Sequence, residues 1–332
     1  GPALSHLRDQ VHTNDAGFGW AFVGSSAGYI LGSIYAGHGL DRGDGHRRWA
    51  VAMAIASASI LLIAAAPNLL LMVLAFGVLG AACGLCDVSG NTLVMWSRPE
   101  GPGALLNGLH LCFAIGAMVA PIIVNRSLHW FDSVWGVAVP MALAAAWCSV
   151  MMLRHPSPRR TRLETVQRSD AGGERGVHVA VICLFFFAYV AMETGFVNWI
   201  HTYVEDIHYG DATTATGVTS MFGVGFMLGR VFAIALARRF TPGWVVAGMT
   251  AMSLLSALLF VAFDGAGPML WVVTFLFALS VAPQYASMMA FAESHLALSG
   301  RNTSAIVASS VGCGRGRWSP DWACRACRCR GG

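Results

Sequence analysis

The amino-acid sequence predicts an all-α polytopic membrane protein, and its composition, its hydropathy pattern and an internal repeat all support this fold class. Of the 332 residues, 56% are hydrophobic and only 11% are charged, whereas a water-soluble domain has about 25% charged residues. So few ionic side chains could not cover a surface of this size in water. The composition therefore excludes a soluble enzyme, a nucleic-acid-binding protein and a secreted disulfide scaffold.

Apolar runs of about 20 residues recur along the chain, and each can cross a hydrocarbon core roughly 30 Å thick as a helix. Short polar turns such as Pro67-Asn68 separate them. A tenth run begins near Thr303 and loses its apolar character after Val311. The nine predicted spans are 17–37, 50–66, 69–96, 104–125, 134–153, 177–202, 215–237, 244–263 and 269–291.

The arginines predict how these helices are oriented, since all 21 basic residues are Arg and most lie in alternate loops. The opposite loops hold only Arg8 and Arg126. Basic residues accumulate on the cytoplasmic side, so we expect the Arg-rich loops to be cytoplasmic in a protein of the plasma membrane. The Arg-rich loops contain Arg42, Arg47, Arg48, Arg98, Arg154, Arg159, Arg160, Arg162, Arg168, Arg175, Arg238, Arg239 and Arg301.

The longest polar segment, residues 154–176, divides the chain into two groups of helices. Its Pro, Ser, Gly and Arg content is typical of a flexible linker. We predict an N-terminal helix bundle at 1–153 and a C-terminal bundle at 177–311. The Arg run within the linker is interpreted as a topology signal, with binding of lipid head groups as the alternative.

An internal repeat relates the two groups. Residues 28–37 match residues 225–234, 197 positions later, and the same offset places the short loop at Pro67-Asn68 on the loop at Asp264-Gly265. Two parallel halves joined by a long loop are typical of transporters built from repeats around a site near the membrane midplane.

The repeat also predicts helices that the sequence does not contain. One further helix is expected before Gly1, and a full span is expected at 301–322, where residues 312–332 instead are rich in Cys and Arg. We therefore interpret the chain as a fragment of a twelve-helix protein, with helices 2–6 at 1–153, helices 7–10 and the start of 11 at 177–311, and an aberrant tail at 312–332. Zinc binding by Cys313, Cys324, Cys327 and Cys329 is the alternative interpretation of that tail.

Several motifs resemble those of the major facilitator superfamily. The segment Gly37 to Arg48 is similar to the family's cytoplasmic loop motif, in which a Gly is followed after three residues by Asp-Arg and then by Gly and a basic pair. The resemblance implies that Asp41 and Arg42 gate the cytoplasmic side, and an acid there would be stabilised at a helix N-terminus.

Within that superfamily, three stretches resemble the sodium-dependent glucose transporter-like and fucose permease-like proteins. They are residues 87–93, 189–199 and 221–230. The resemblance implies a two-bundle fold and the transport of a small solute.

Asp87 and Asn91 are the first candidate site residues, because an ionisable group at bilayer depth is costly and needs a reason. Their i,i+4 spacing places them on one helix face, where they could hold a sugar hydroxyl, a proton or Na⁺. The alternative is an acid that only fixes helix packing. His110, in the next span, is a further candidate for binding substrate, or else makes an interhelical hydrogen bond.

Glu193 is the second acid within a span, and we expect it to carry a coupling ion or to form a structural salt bridge. Asn198 and Trp199 follow on the same predicted helix and are candidates for substrate binding. Trp199 could stack on a sugar ring or belong to the aromatic belt at the membrane interface.

Arg230 follows the pair Gly225 and Gly229, where small residues permit close helix contact. It is predicted to take part in gating, paired with Glu193 or Asp87, or else to extend towards the cytoplasmic face. The repeat offset places Gln284 at the position of Asp87, so Gln284 is a further candidate for binding substrate.

The leading hypothesis is a secondary active transporter of a small polar solute, a hexose in the first instance, that works by alternating access. Asp87 or Glu193 would bind Na⁺ or H⁺, and no other cofactor or metal is expected. An ion-independent uniporter and a non-transporting, truncated product are the alternatives. The sequence contains no intramembrane His-Glu-x-x-His or Gly-x-Ser-x-Gly motif, so an enzyme is not predicted. The expected partners are the solute and the lipid bilayer, with no nucleic acid and a monomeric state.

Overall fold

The computed structural model describes residues 2–40, 44–98, 101–131, 133–158, 172–207, 209, 212–263, 267–296 and 298–309. These residues are overwhelmingly helical and contain no β-strand, which confirms the predicted all-α fold. The helices of the first half are α1 Pro2–Gln10, α2 Asp15–Leu40, α3 Gly45–Ala65, α4 Leu69–Ser97, α5 Gly103–Phe131 and α6 Trp135–Leu153. Those of the second half are α7 Gly172–Asp206, α8 Ala212–Ala237, α9 Pro242–Ala262, α10 Gly267–Val281, α11 Gln284–Leu296 and α12 Gly300–Ser309.

Eight segments of the described chain are long and apolar enough to cross a membrane, and they match eight of the nine predicted spans. The ninth prediction corresponds to α2, whose 26 residues are long enough but include many Gly and Ser. Large apolar side chains such as Phe113 and Val261 are exposed to 73% and 76% on the outer helix faces. Such faces suit contact with lipid.

Two features differ from the prediction. A short helix, α1, precedes the first predicted span, and the Gln10 side-chain amide donates to the backbone oxygens of Ala64 and Ala66 at 3.2 and 2.8 Å. These oxygens lie at the end of α3, where the last carbonyl oxygens of a helix have no N–H donors within the helix. The predicted span 269–291 is found as the segment Gly267–Leu296, but it consists of two helices, because Pro283 lacks the N–H that would continue α10 into α11.

Helices α2 and α4 make the most extensive contact in the molecule, and glycines form it. A Cβ atom at Gly28 would overlap the carbonyl oxygen of Gly77, and one at Gly32 would overlap that of Ala81. The backbones can approach so closely only because these positions carry no side chain. The glycine spacing in α2 therefore serves helix packing.

The repeat is visible in the same contact of the second half. Helix α8 packs on α10, and Cβ atoms built at Gly225 and Gly229 would lie 2.7 and 2.6 Å from the carbonyl oxygens of Phe275 and Leu279. The glycines matched by the 197-residue offset therefore occupy equivalent positions in the two halves.

The halves meet through α2 with α12 and through α5 with α8. Both contacts involve small residues at the side from which the linker leaves, called here the linker side. Gly37 faces Ser304 and Gly300, and Gly103 faces Ala237 and Ala290. Above these contacts, a buried core draws residues from both halves, including Tyr29, Val88, Tyr189 and Tyr285.

Candidate functional site

Asp87 lies in the middle of α4, and both oxygens of its carboxyl group accept hydrogen bonds from neutral side chains. The Tyr29 hydroxyl, on α2, donates to Oδ2. The Asn91 side-chain amide, one turn further along α4, donates to Oδ1 at 2.8 Å and to the Asp87 backbone oxygen at 2.9 Å. The close contact of α2 with α4 brings Tyr29 within reach of the acid.

Asn91 continues this network towards the second half. Its Oδ1 lies 3.3 Å from Nε2 of His110 on α5. Since the Asn91 amide nitrogen already donates to Asp87, the Oδ1 atom is the acceptor, which assigns the ring proton to Nε2 of His110. The His110 ring then packs edge-on against Tyr285 of α11, with 4.7 Å between ring centroids.

Tyr285 joins the hydrogen-bonded network to an aromatic cluster of the second half. Its ring centroid lies 4.8 Å from that of Phe186 and 6.0 Å from that of Tyr189, both on α7. Tyr189 in turn stacks on Phe185. Polar groups and aromatic faces are thus placed side by side where the two halves meet, an arrangement suited to a ligand with both polar edges and apolar faces.

Glu193 and Arg230 bring opposite charges to the same region from α7 and α8. The Arg230 guanidinium is within electrostatic range of Glu193, Tyr189, Tyr285 and His110. Arg230 is only 4% exposed, and its guanidinium carbon lies 5.0 Å from the centre of the Phe226 ring. The sequence left open whether Arg230 lies near an acid or extends towards the cytoplasmic face. In the structure Arg230 is buried, and the acid near it is Glu193 rather than Asp87.

Two of the predicted site residues lie apart from this network. The Gln284 amide nitrogen donates to Ser253 Oγ at 2.7 Å and to the Ser280 backbone oxygen at 3.1 Å, in the packing of α11 on α9 and α10. Trp199, near the end of α7, is 44% exposed. The side chain of Asn198 and the residues Asp41 and Arg42 lie outside the described part of the chain.

Sequence reasoning missed three tyrosines of the site. Tyr29 lies inside the repeat, opposite Phe226, and only its hydroxyl distinguishes it from that counterpart. Tyr189 precedes Glu193 by one helical turn, and Tyr285 directly follows Gln284. The i,i+4 spacing of Tyr189 to Glu193 could have indicated Tyr189, but the contact of Tyr285 with His110 depends on how the two halves meet.

Comparisons with known proteins agree with this architecture. The model of the Major Facilitator Superfamily matches residues 1–315. The sodium-dependent glucose transporter 1A of Mus musculus is 26% identical over 94% of this chain and 82% of its own length. The corresponding protein of Xenopus laevis is 25% identical over 94% of this chain and 69% of its own length.

Solved structures share the fold. A variant of the E. coli fucose:proton symporter FucP superposes with a TM-score of 0.73 at 16% identity, over 94% of this chain and 86% of that one. The proton:xylose symporter XylE, bound to 6-bromo-6-deoxy-D-glucose, also gives a TM-score of 0.73, at 13% identity over 94% and 82% of the two chains. The chain is an integral, multi-pass membrane protein and belongs to the Major Facilitator Superfamily.

Proposed function

We propose that the protein is a secondary active transporter that moves a hexose by alternating access, with Asp87 as the group that binds the coupling cation. The observation that carries this proposal is the half-buried Asp87 carboxyl group, whose hydrogen-bond donors among the described residues are neutral and which lies in a network that reaches across both halves.

The two acids of the site differ in how their charge is balanced. Glu193 has the Arg230 guanidinium within electrostatic range. The groups that act on Asp87 are the Tyr29 hydroxyl and the Asn91 amide, which carry no charge. An ionised carboxylate at this depth is costly unless a cation compensates it, so we assign H⁺ or Na⁺ to Asp87, whereas the charge of Glu193 is offset by Arg230 nearby.

The contacts between the halves suit alternating access. On the linker side they involve small residues, Gly37 with Ser304 and Gly103 with Ala237, which can separate without unpairing charged groups. In this proposal the linker side faces the cytoplasm of a plasma-membrane protein, as the arginines predict, and Asp41 and Arg42 complete the gate. The protein would act as a monomer.

A hexose is the proposed solute because a pyranose presents hydroxyl groups at its edge and C–H groups on its faces. Asn91, His110 and Glu193 offer polar atoms, and Tyr285 and Phe186 offer ring faces beside them. The names of the relatives indicate glucose with sodium, and those of the solved structures indicate fucose or xylose with protons. The coupling ion therefore has to be measured.

The test is uptake of labelled D-glucose and L-fucose into liposomes that contain the purified chain, with an imposed Na⁺ gradient, an imposed H⁺ gradient or neither. We expect one gradient to drive accumulation, and we expect Asp87→Asn to abolish that accumulation while leaving the protein folded. Asp9→Asn, which changes an acid exposed on α1, is the matched control and should behave as the wild type.

Other outcomes would identify the alternatives. Saturable uptake that ignores both gradients would indicate a uniporter, an outcome compatible with an Asp87 whose two oxygens are already occupied by hydrogen bonds. Absence of uptake by well-folded protein would indicate a non-transporting product.

A further inference from the structure

Arg230 of the second half has buried hydrogen-bond donors that lack acceptors in the described part of the chain, its Nε and Nη1 atoms. The hydroxyl of Tyr189 is also buried, and the Glu193 carboxyl group is the acceptor within its reach. Arg230 is 4% exposed and Tyr189 is 3% exposed. Buried polar groups are almost always hydrogen-bonded, and a guanidinium with free donors in a low-dielectric region is a strong binding element for oxygen atoms.

The groups around these donors determine which kind of ligand oxygen atom they can bind. Glu193 lies one helical turn after Tyr189 on α7 and is within electrostatic range of Arg230, so the local charges of the acid and the base offset each other. Phe226 covers one face of the guanidinium and leaves its edge as the hydrogen-bonding surface. The second acid, Asp87, adds a negative charge on the first half of the site.

A neutral polyol matches this set of groups better than an anion does. Each hydroxyl group of a sugar can accept a hydrogen bond from Arg230 or Tyr189 and can donate one to the Glu193 carboxylate. A ligand carboxylate would instead compete with Glu193 for Arg230, and it would add a further negative charge beside Glu193 and Asp87.

We propose that Arg230, Tyr189 and Glu193 form a subsite for adjacent hydroxyl groups of an uncharged sugar, and that Glu193 makes this subsite reject sugars that carry a carboxylate, such as hexuronates. The inference rests on the proposed function and deepens it. It adds solute-binding groups of the second half to Asn91 and His110 of the first half, while Asp87 binds the cation.

The experiment measures equilibrium binding of labelled D-glucose and D-glucuronate to the purified full chain at one pH. The wild type should prefer glucose. Glu193→Gln keeps the shape of the side chain and removes its charge, so Arg230 becomes an uncompensated cation. We expect this variant to shift the ratio of the two affinities towards glucuronate by about tenfold or more, which is the typical size of a specificity change caused by one charged contact.

Arg230 variants test the other side of the pair. Arg230→Gln should weaken the binding of both sugars by about tenfold or more, because it removes the donors. Arg230→Lys should restore part of the affinity, since lysine keeps the charge but not the planar fork of donors. Arg126→Gln, at an exposed arginine that contacts Trp130, is the matched control and should change neither affinity.

The outcomes separate this inference from the proposed function. If the wild type binds glucose and the affinity ratio of a monodisperse Glu193→Gln protein stays within about twofold of the wild-type ratio, the subsite is wrong while transport by the protein stands. Equal binding of the two sugars by the wild type would also overturn it. A folded wild type that binds no hexose would overturn both the proposed function and this inference.

Discussion

In the first half of the molecule the middle of α4 carries Asp87, and 197 positions later the start of α11 carries Gln284. Asp87 accepts from Tyr29 of the neighbouring helix, whereas the counterpart of Tyr29 is Phe226, which has no hydroxyl group to offer. Gln284 bonds instead to Ser253 and Ser280. The two halves therefore share a backbone arrangement and differ in which side chains hold the equivalent position.

The two halves also differ in the charged side chains that they contribute to the site. The repeat places Ser33 of α2 opposite Arg230 of α8, so the first half contributes an acid without a cation and the second half contributes an arginine with an acid nearby. In the proposed function, the duplicated scaffold would therefore carry the cation-binding acid in the first half and the arginine subsite for the solute in the second half.

The largest expected effect concerns the glycines that the halves have in common. Gly28→Ala should prevent α2 from packing on α4, because the new Cβ atom would overlap a backbone oxygen that cannot move away. We expect a loss of stability of about 3 kcal/mol or more, at or above the usual range for overpacking. The measurement is the thermal unfolding temperature of the purified protein in detergent.

Two other glycines supply graded controls. Gly225→Ala in α8 should be less harmful, since its Cβ would lie 2.7 Å from the Phe275 oxygen, and Gly77→Ala should be tolerated, since the nearest atom would be 3.5 Å away. Equal stability of the Gly28→Ala and Gly77→Ala proteins would contradict the close packing of α2 on α4.

A smaller effect on stability is expected at Gln284. Gln284→Leu removes the hydrogen bonds that the side-chain amide donates to Ser253 Oγ and to the Ser280 backbone oxygen, although the two serine hydroxyls still bond to each other. The loss of these bonds should cost about 2 kcal/mol, measured as a lower unfolding temperature. Sugar affinity should change by less than about twofold. A selective loss of affinity at unchanged stability would return Gln284 to the list of substrate-binding residues.

The smallest effect is expected at His110, whose repeat counterpart is the buried Val307. His110→Val removes the donor to Asn91, so Asn91 is held less firmly next to Asp87. We expect KM for the solute to rise about tenfold, equivalent to one hydrogen bond of about 1.4 kcal/mol. His110→Gln keeps a donor and should recover most of that loss. An unchanged KM in the valine variant would exclude His110 from the site.

Much of the fold could be predicted because it depends on patterns along one chain. Apolar runs indicate where helices lie, and the spacing of Gly24, Gly28 and Gly32 indicates a face for close packing. The pair Asp87 and Asn91 also follows from local spacing, since i,i+4 residues share a helix face, and the structure has them hydrogen-bonded.

The parts that could not be predicted depend on how helices are rotated against each other. The contact of Tyr29 with Asp87 can be predicted only if the depth at which α2 meets α4 is known. The contact of His110 with Tyr285 can be predicted only if the packing of the two halves is known. The repeat offset relates Gln284 to Asp87 by position, but it cannot predict that the Gln284 amide bonds to serines of α9 and α10. Pro283 could have predicted a break in the helix, but it lies within a long apolar run that indicates one continuous span.

The glycine contact between α2 and α4 has a mechanical consequence. Gly28 of α2 fits against the carbonyl oxygen of Gly77, and Gly80 of α4 fits against that of Ser25. This interlocking opposes sliding of α2 along α4, so the two helices should move as one unit. A displacement of α4 would then be passed to α2, which is the helix that meets α12 of the opposite half.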